Sequence, residues 1–237
     1  MYRKNKILEN QRDYRNLPSC RTWREALICS EFGVSPRYSL ALTGPSGVGK
    51  TTISQRLVMS VPDYIEKPPI ITTRIPSIHD GDEYRHVTTK EFLELKASGE
   101  LAAETELPPK AERRWYGYRV DDLDAIWRKG KVPVLITEMH FLRGFMSRYG
   151  RGAVLSCGLL PPGGSRRAML SVLLERLRRR DRDSEESIRG RMENAERDLT
   201  FFREYPDLFD CLLVNNDADS IMSILEEYVI RMVSGDF

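Results

Sequence analysis

Long apolar runs are missing from this chain. No stretch approaches the ~20 residues that a membrane-spanning helix needs. The opening segment, Met1-Tyr2-Arg3-Lys4-Asn5-Lys6, leads into polar sequence and lacks the apolar stretch of a secretion signal. Cysteine is scarce: Cys20, Cys29, Cys157 and Cys211 are scattered with no CxxC pair. That excludes a sequence-local zinc signature and argues against a disulfide framework, so reduced thiols in a cytoplasmic protein are expected. An excess of one charge sign is missing too. Thirty-seven basic residues face thirty-five acidic ones, a formal net charge of +2. This is too even for a bulk nucleic-acid binder. Sixteen glycines and thirteen prolines are too few for a collagen-like or low-complexity chain. The three histidines, His79, His86 and His140, have no metal-type spacing, and surface or packing roles are expected for them.

What remains is ordinary globular sequence: 237 residues, 41% apolar and 30% charged. That length suits one large domain, or one domain with subdomains. Residues 1–37 are polar and irregular and read as an N-terminal extension. A short amphipathic helix is expected there from Thr22 to Cys29, packing Trp23, Leu27 and Ile28 on the main domain. Apolar segments at Tyr38 to Thr43, Ile70 to Thr73, Val132 to Thr137, Ala153 to Leu155 and Leu212 to Val214 read as strands. Helical spacing marks Gly49 to Ser60, Lys90 to Ser98, Asp121 to Lys129, Arg167 to Arg180, Ser184 to Phe202 and Ser220 to Val233. Strands alternating with helices predict an α/β fold: a parallel sheet with helices on both faces.

The strongest local signal is Gly44-Pro45-Ser46-Gly47-Val48-Gly49-Lys50-Thr51, which fits G-x-x-x-x-G-K-[ST] between a strand and a helix. Each residue type has a physical reason. The glycines let backbone close around phosphate oxygens, and successive N–H groups at the helix start then point at the anion. Lys50 supplies a point charge for the β- and γ-phosphates, and the Thr51 hydroxyl is suited to ligate Mg²⁺. The loop implies nucleoside triphosphate binding and leaves the receiver of the phosphate open.

Further landmarks follow in a fixed order: Thr72-Thr73-Arg74; Gly81-Asp82-Glu83-Tyr84; Gly99-Glu100-Leu101 leading to Trp115-Tyr116-Gly117; Leu160-Pro161-Pro162; Leu174 to Arg180 followed by Ser184 to Ile188 and Arg191; and Leu213-Val214-Asn215-Asn216-Asp217. In this order the chain resembles the guanylate kinase family from residue 38 to about residue 234. The resemblance implies a P-loop fold like that of nucleoside monophosphate kinases, spanning residues 38–237. It would have a parallel-sheet core, an acceptor-binding insertion over about 72–129 and an Arg-rich lid over about 176–193. It implies Mg-ATP as phosphoryl donor, held by residues 44–51 with Thr52 and Asn216. It implies a small phosphorylated acceptor, with GMP leading.

The lid also has its own reading. Residues 166–182 hold seven arginines against two acidic residues, and Arg176 and Arg180 share one helix face. Planar guanidinium forks suit the charge that spreads over a transferring phosphoryl group. By the resemblance, Lys50, Arg176, Arg180 and Arg191 become the catalytic residues. Arg74, Tyr84, Glu104, Tyr116 and Glu138 become the acceptor-binding ones. The acceptor segment departs from the family pattern at several positions. Ser77 stands where a second Arg is usual, and Ile70 where a Ser is. Ala103 replaces the base-reading Glu, with Glu104 beside it. Tyr118 replaces a small hydroxyl residue, Ile136 the first Asp of an Asp-x-Asp and Glu138 the second.

Other readings therefore stay open. One is a kinase of the same chassis for ribose 1,5-bisphosphate or a modified nucleotide. Another is a non-catalytic guanylate-kinase-like binding module. A third is a nucleic-acid kinase, suggested by Arg113-Arg114 and the basic lid. The expectation is a cytoplasmic monomer or homodimer acting on a small molecule, with no membrane or nucleic-acid partner.

Overall fold

The computed structural model describes residues 37–78, 80–107, 114–181 and 183–234. The helix expected at Thr22 to Cys29 lies outside them, as do His79, Arg113 and Arg182. Strand β1 (Ser39–Thr43) is buried at every position, which is why its sequence is apolar without alternation. It leads through the glycine-rich loop into α1 (Lys50–Ser60). Next come β2 (Ile65–Glu66), β3 (Ile70–Thr72), β4 (Tyr84–His86), α2 (Thr89–Ala97), β5 (Leu101–Leu107), β6 (Arg114–Arg119), α3 (Val120–Arg128) and β7 (Val132–Thr137). The chain continues through α4 (Met139–Tyr149), β8 (Val154–Leu160), α5 (Arg166–Arg179), α6 (Glu185–Glu204), β9 (Cys211–Val214) and α7 (Ala218–Ser234).

Two sheets result. The first has the order β2-β7-β1-β8-β9 and is parallel throughout. Leu40 and Leu42 of β1 face one way, into a core with Ile53 and Leu57 of α1 and Leu225 and Val229 of α7. Ala41 and Leu135 face the other way, into a core with Leu123 of α3 and Phe141, Leu142 and Phe145 of α4. The second sheet has the order β4-β3-β6-β5, with β3 and β5 both antiparallel to β6. A small cluster of Ile71, Phe92 and Leu101 packs α2 beneath it. No helix among the described residues is long and apolar enough to cross a membrane.

Local chemistry sets the helix starts. Thr88 and Glu91 form a reciprocal capping box on α2, and Ser165 and Ser184 cap α5 and α6 with their hydroxyls. The sequence reading omitted α4, β2 and the strands β4, β5 and β6. The α4 apolar face (Phe141, Leu142, Phe145, Met146) has helical spacing, but no Ser, Thr, Asp or Asn stands at its cap position. Its cap is Glu138, whose carboxylate accepts from the N–H groups of Phe141 at 2.7 Å and His140 at 3.1 Å. The run Leu101–Leu107 carries Ala and Glu, residues depleted in strands, and is held by its pairing with β6.

Cys157 and Cys211 are free thiols facing each other across β8 and β9, with sulfurs 3.0 Å apart. Asp210 fixes the entry to β9. It accepts two hydrogen bonds from the Arg151 guanidinium, at 2.8 and 3.1 Å, and one from the Ser156 N–H at 2.7 Å. Replacing it strands a guanidinium and a buried N–H. Asp210→Ala is expected to cost about 2 kcal/mol. Thermal unfolding followed by circular dichroism should show a Tm lower by about 4–8 °C.

Candidate active site

The site lies at the C-terminal ends of the parallel strands, where crevices open in sheets of this kind. The loop from Gly44 to Gly49 is pressed so closely on its neighbours that side chains are excluded at two points. A Cβ on Gly44 would lie 2.5 Å from the Leu159 carbonyl oxygen. One on Gly49, whose φ is +107°, would lie 2.5 Å from Asn215 Nδ2. Asn215 Nδ2 donates to the Val48 carbonyl at 2.7 Å and holds the loop's far side. Pro45, Gly47 and Val48 are buried, Ser46 is half-buried, and Thr51 and Thr52 are exposed on the first turn of α1. Asn216 is exposed beyond β9, and its buried neighbour Asn215 makes the loop contact.

Positive charge converges on this loop. Lys50 Nζ donates to the carbonyls of Gly44 and, at 3.2 Å, Pro45. Arg191, on α6, donates to Ser46 Oγ at 2.8 Å and is steadied by Asp183 at 3.0 Å. Burial pulls the Lys50 pKa from 10.5 down to about 8. Asp198 and Glu138 oppose that shift, while Arg180 and Arg191 add to it. Arg180 and Arg191 are therefore near enough to Lys50 to act on its charge. Arg176 is used differently: it donates to the carbonyls of Asn215 at 2.9 Å and Val48 at 3.5 Å, bracing α5 on the loop.

The second sheet gathers a separate group of the predicted site residues. Tyr84 pairs with Ile70 and Tyr116 with Thr72, so both tyrosines share one face of the sheet. Arg74, two residues past β3, lies over the Tyr84 ring at 4.8 Å and pairs with Asp80. Asp80 also accepts from the Ser77 N–H at 2.9 Å and lies 3.2 Å from His86 Nε2. Burial pushes the Tyr84 hydroxyl up to about 12, keeping it a hydrogen-bond donor. A guanidinium and two phenols on one face can bind an anion.

Comparison with known proteins identifies relatives of the chain. A family model described as magnesium chelatase, subunit ChlI, matches residues 20–103, a segment that contains the phosphate loop. A guanylate kinase of Thermosynechococcus vestitus is 31% identical over 193 residues, covering 81% of this chain and 92% of that protein. The chain belongs to the guanylate kinase family. A guanylate kinase of Rhizobium meliloti is 29% identical, covering 81% of this chain and 83% of that one. A human guanylate kinase is 28% identical, covering 79% and 90%. The crystal structure of a guanylate kinase from Anaplasma phagocytophilum shares the fold, with a TM-score of 0.57 at 22% identity over 83% of this chain and 86% of that one.

Within the guanylate kinase fold, one predicted acceptor residue is misplaced. Glu104 pairs in register with Gly117 and so lies on the sheet face opposite Tyr116. Its carboxylate sits 3.1 Å from Lys96 of α2, outside the crevice. Period-two alternation decides this: Thr105, the residue opposite Tyr116, is the one that shares its face. Glu138 does reach the crevice, where its electrostatic partners are Lys50 and Asp198.

Asp198 is the site residue that sequence reasoning missed. Arg191, Ala195, Asp198 and Phe202 recur at helical spacing along α6. Ala195 is fully buried in the core, and the Phe202 ring crowds Gly158 of β8. That stripe faces the loop, and its seven-residue step from Arg191 was the available signal. Burial raises the Asp198 carboxyl from 3.8 to about 6, with Lys50 opposing and Glu138 adding. A carboxyl held above its unfolded value costs stability as pH rises from about 4 to 6, and the cost is complete above 6. Asp198→Asn should therefore stabilise the fold by ~1–3 kcal/mol at pH 7.5 and by little at pH 4. Urea unfolding at the two pH values checks this.

Proposed function

We propose that this protein transfers the γ-phosphoryl group of Mg-ATP to GMP. One observation carries the reading: Lys50 and Arg191 both bond to an intact phosphate loop, and Arg180 is near enough to add to the positive field on Lys50. Gathering like charges is costly unless an anion is to be bound among them. The family membership supports the reading, since the curated relatives carry the name guanylate kinase.

The residues present fit a magnesium-bound triphosphate. The loop has no space for a Cβ at Gly44 and Gly49, so backbone N–H groups can reach phosphate oxygens there. The Thr51 hydroxyl would hold Mg²⁺, which when bound neutralises charge on the β- and γ-phosphates. Lys50 binds the same phosphates. Arg74, Tyr84 and Tyr116 grip the acceptor's phosphate and orient one of its oxygens. That oxygen is already anionic near neutral pH, so its attack needs no base. Arg180 and Arg191 stabilise the charge on the transferring group, and α5 and α6 exclude water around it. Arg176 holds the lid to the loop. Glu138 faces the phosphates from the end of β7. The reading implies a cytoplasmic enzyme of small molecules, a monomer or homodimer, with no membrane or nucleic-acid partner.

A second acceptor class is favoured by one feature. Ala103 and Tyr118 take the place of the polar base-reading groups, and Glu104 is turned away. An acceptor without a purine, such as ribose 1,5-bisphosphate, needs no such groups.

A coupled ATP-consumption assay over GMP, other nucleoside monophosphates and ribose 1,5-bisphosphate separates the readings, with GMP expected to turn over fastest. Turnover of ribose 1,5-bisphosphate with none of GMP would replace the first reading by the second. Lys50→Ala should lower kcat by at least ~10²-fold with the fold retained. Consumption that is absent in the wild type as well would leave a binding module.

A further inference from the structure

Strand β7 has one poorly covered edge. Its neighbour β2 is two residues long and reaches only Val132 and Pro133, whereas β1 lines the other edge from Val134 to Thr137. Beyond Pro133 no strand among the described residues continues the ladder on the β2 side. At Ile136 a side chain takes that place. The Ile136 N–H donates to the Tyr118 hydroxyl at 2.9 Å, and that hydroxyl donates to the Ile136 carbonyl at 3.3 Å. One phenol therefore satisfies both backbone groups of one residue, as a neighbouring strand would.

Tyr118 belongs to β6 of the second sheet, two residues beyond Tyr116 and on the same face. Its side chain is 1% exposed, and its ring stacks on Phe141 of α4 with centroids 5.0 Å apart. Burial raises its pKa, so the hydroxyl stays protonated and able to donate. The contact runs between the two sheets. On one side is the strand carrying Tyr116, and on the other the strand that leads into Glu138. Nearby, Ala103 of β5 lies against Gly144 of α4, with 3.7 Å between the Ala103 Cβ and the Cβ position of that glycine. Arg148 donates to the Leu101 carbonyl at 3.3 Å.

We propose that Tyr118 is a positioning residue: its hydroxyl latches the acceptor sheet onto the open edge of β7 and fixes the reach of Tyr116, and with it Arg74 and Tyr84, toward the phosphate loop. Ring packing alone would hold the sheets together but would allow them to slide, since stacking has no fixed register. The two hydrogen bonds supply the register. The acceptor half of the site is thereby set before any acceptor binds, and the latch acts on acceptor affinity without touching the acceptor. This rests on the phosphotransferase reading only for its kinetic consequence.

Tyr118→Phe keeps the ring and removes the latch. Amide hydrogen exchange on the nucleotide-free protein should show the Ile136 N–H exchanging at least ~10-fold faster in the variant, with Leu135 unchanged. In steady-state assays the acceptor KM should rise about 5–10-fold with the ATP KM unmoved. Unaltered exchange at Ile136 would overturn the latch. Faster exchange with both KM values unchanged, or with both raised together, would overturn its positioning role. Tyr118→Leu, which also removes the ring stacking, separates packing from register. It should lower the Tm well below that of Tyr118→Phe, and a Tyr118→Phe protein with the Tm of the wild type and unaltered exchange at Ile136 would leave ring packing as the whole contact. A wild type that turns over no acceptor would sink the phosphotransferase reading, while the exchange comparison would still decide the latch.

Discussion

The structure is organised around a concentration of positive charge that it must keep soluble, folded and ready. Lys50 and Arg191 both bond to the phosphate loop, Arg180 adds to the positive field there, and burial alone is enough to weaken the hold of Lys50 on its proton. Several devices make this tolerable. Backbone carbonyls of Gly44 and Pro45 accept from the ammonium group. Ser46 and Asp183 hold Arg191. Glu138 and Asp198 supply negative charge from two different elements. Neither carboxylate is free of cost: Glu138 is tied up as a helix cap, and Asp198 is held above its usual pKa. A triphosphate would relieve the whole arrangement at once, which is the physical sense of a site preorganised for polyanions.

The acceptor half obeys a different constraint. Arg74 already has an anionic partner in Asp80, and its guanidinium carbon lies 4.8 Å from the centre of the Tyr84 ring. An incoming phosphate therefore competes with a carboxylate for an oriented fork. Orientation comes from strand register: Arg74 stands two residues past β3, while β4 and β6 on either side carry Tyr84 and Tyr116. The two halves of the site lie on separate sheets, so their relative placement is itself a determinant of function. The contacts between β6 and β7 and between β5 and α4 set it.

Much of this was legible in the residue order. The phosphate loop announces itself because few backbone paths can wrap an anion, and those paths demand glycine at fixed positions. The parallel core strands show as unbroken apolar runs because both of their faces are buried. Arg191 was expected near the phosphate loop, and it donates to Ser46 there. Other features were hidden for stated reasons. The strand β5 is written in Ala, Glu and Thr and owes its form to pairing with β6, so its propensity pointed elsewhere. Helix α4 is capped by a glutamate, an unusual choice. Arg176 belongs to the same arginine-rich run as Arg180, one turn earlier, yet it faces the carbonyls of Val48 and Asn215 because of where its turn of α5 meets the loop.

By itself, then, the sequence determined the chemistry available: a glycine-lined phosphate cradle, a lysine and a magnesium-type hydroxyl at its end, an arginine-rich lid, and tyrosines downstream. Those follow from local spacing, and local spacing is written in the chain. Only the tertiary structure decided which carboxylates enter the crevice. Glu104 is turned out because side chains alternate along β5, and which face of β5 is inward depends on its register with β6. Asp198 is turned in because the stripe it shares with Arg191 on α6 packs against the loop. Contact across hundreds of intervening atoms, unlike spacing along one segment, is fixed only when the two sheets and their helices close on each other.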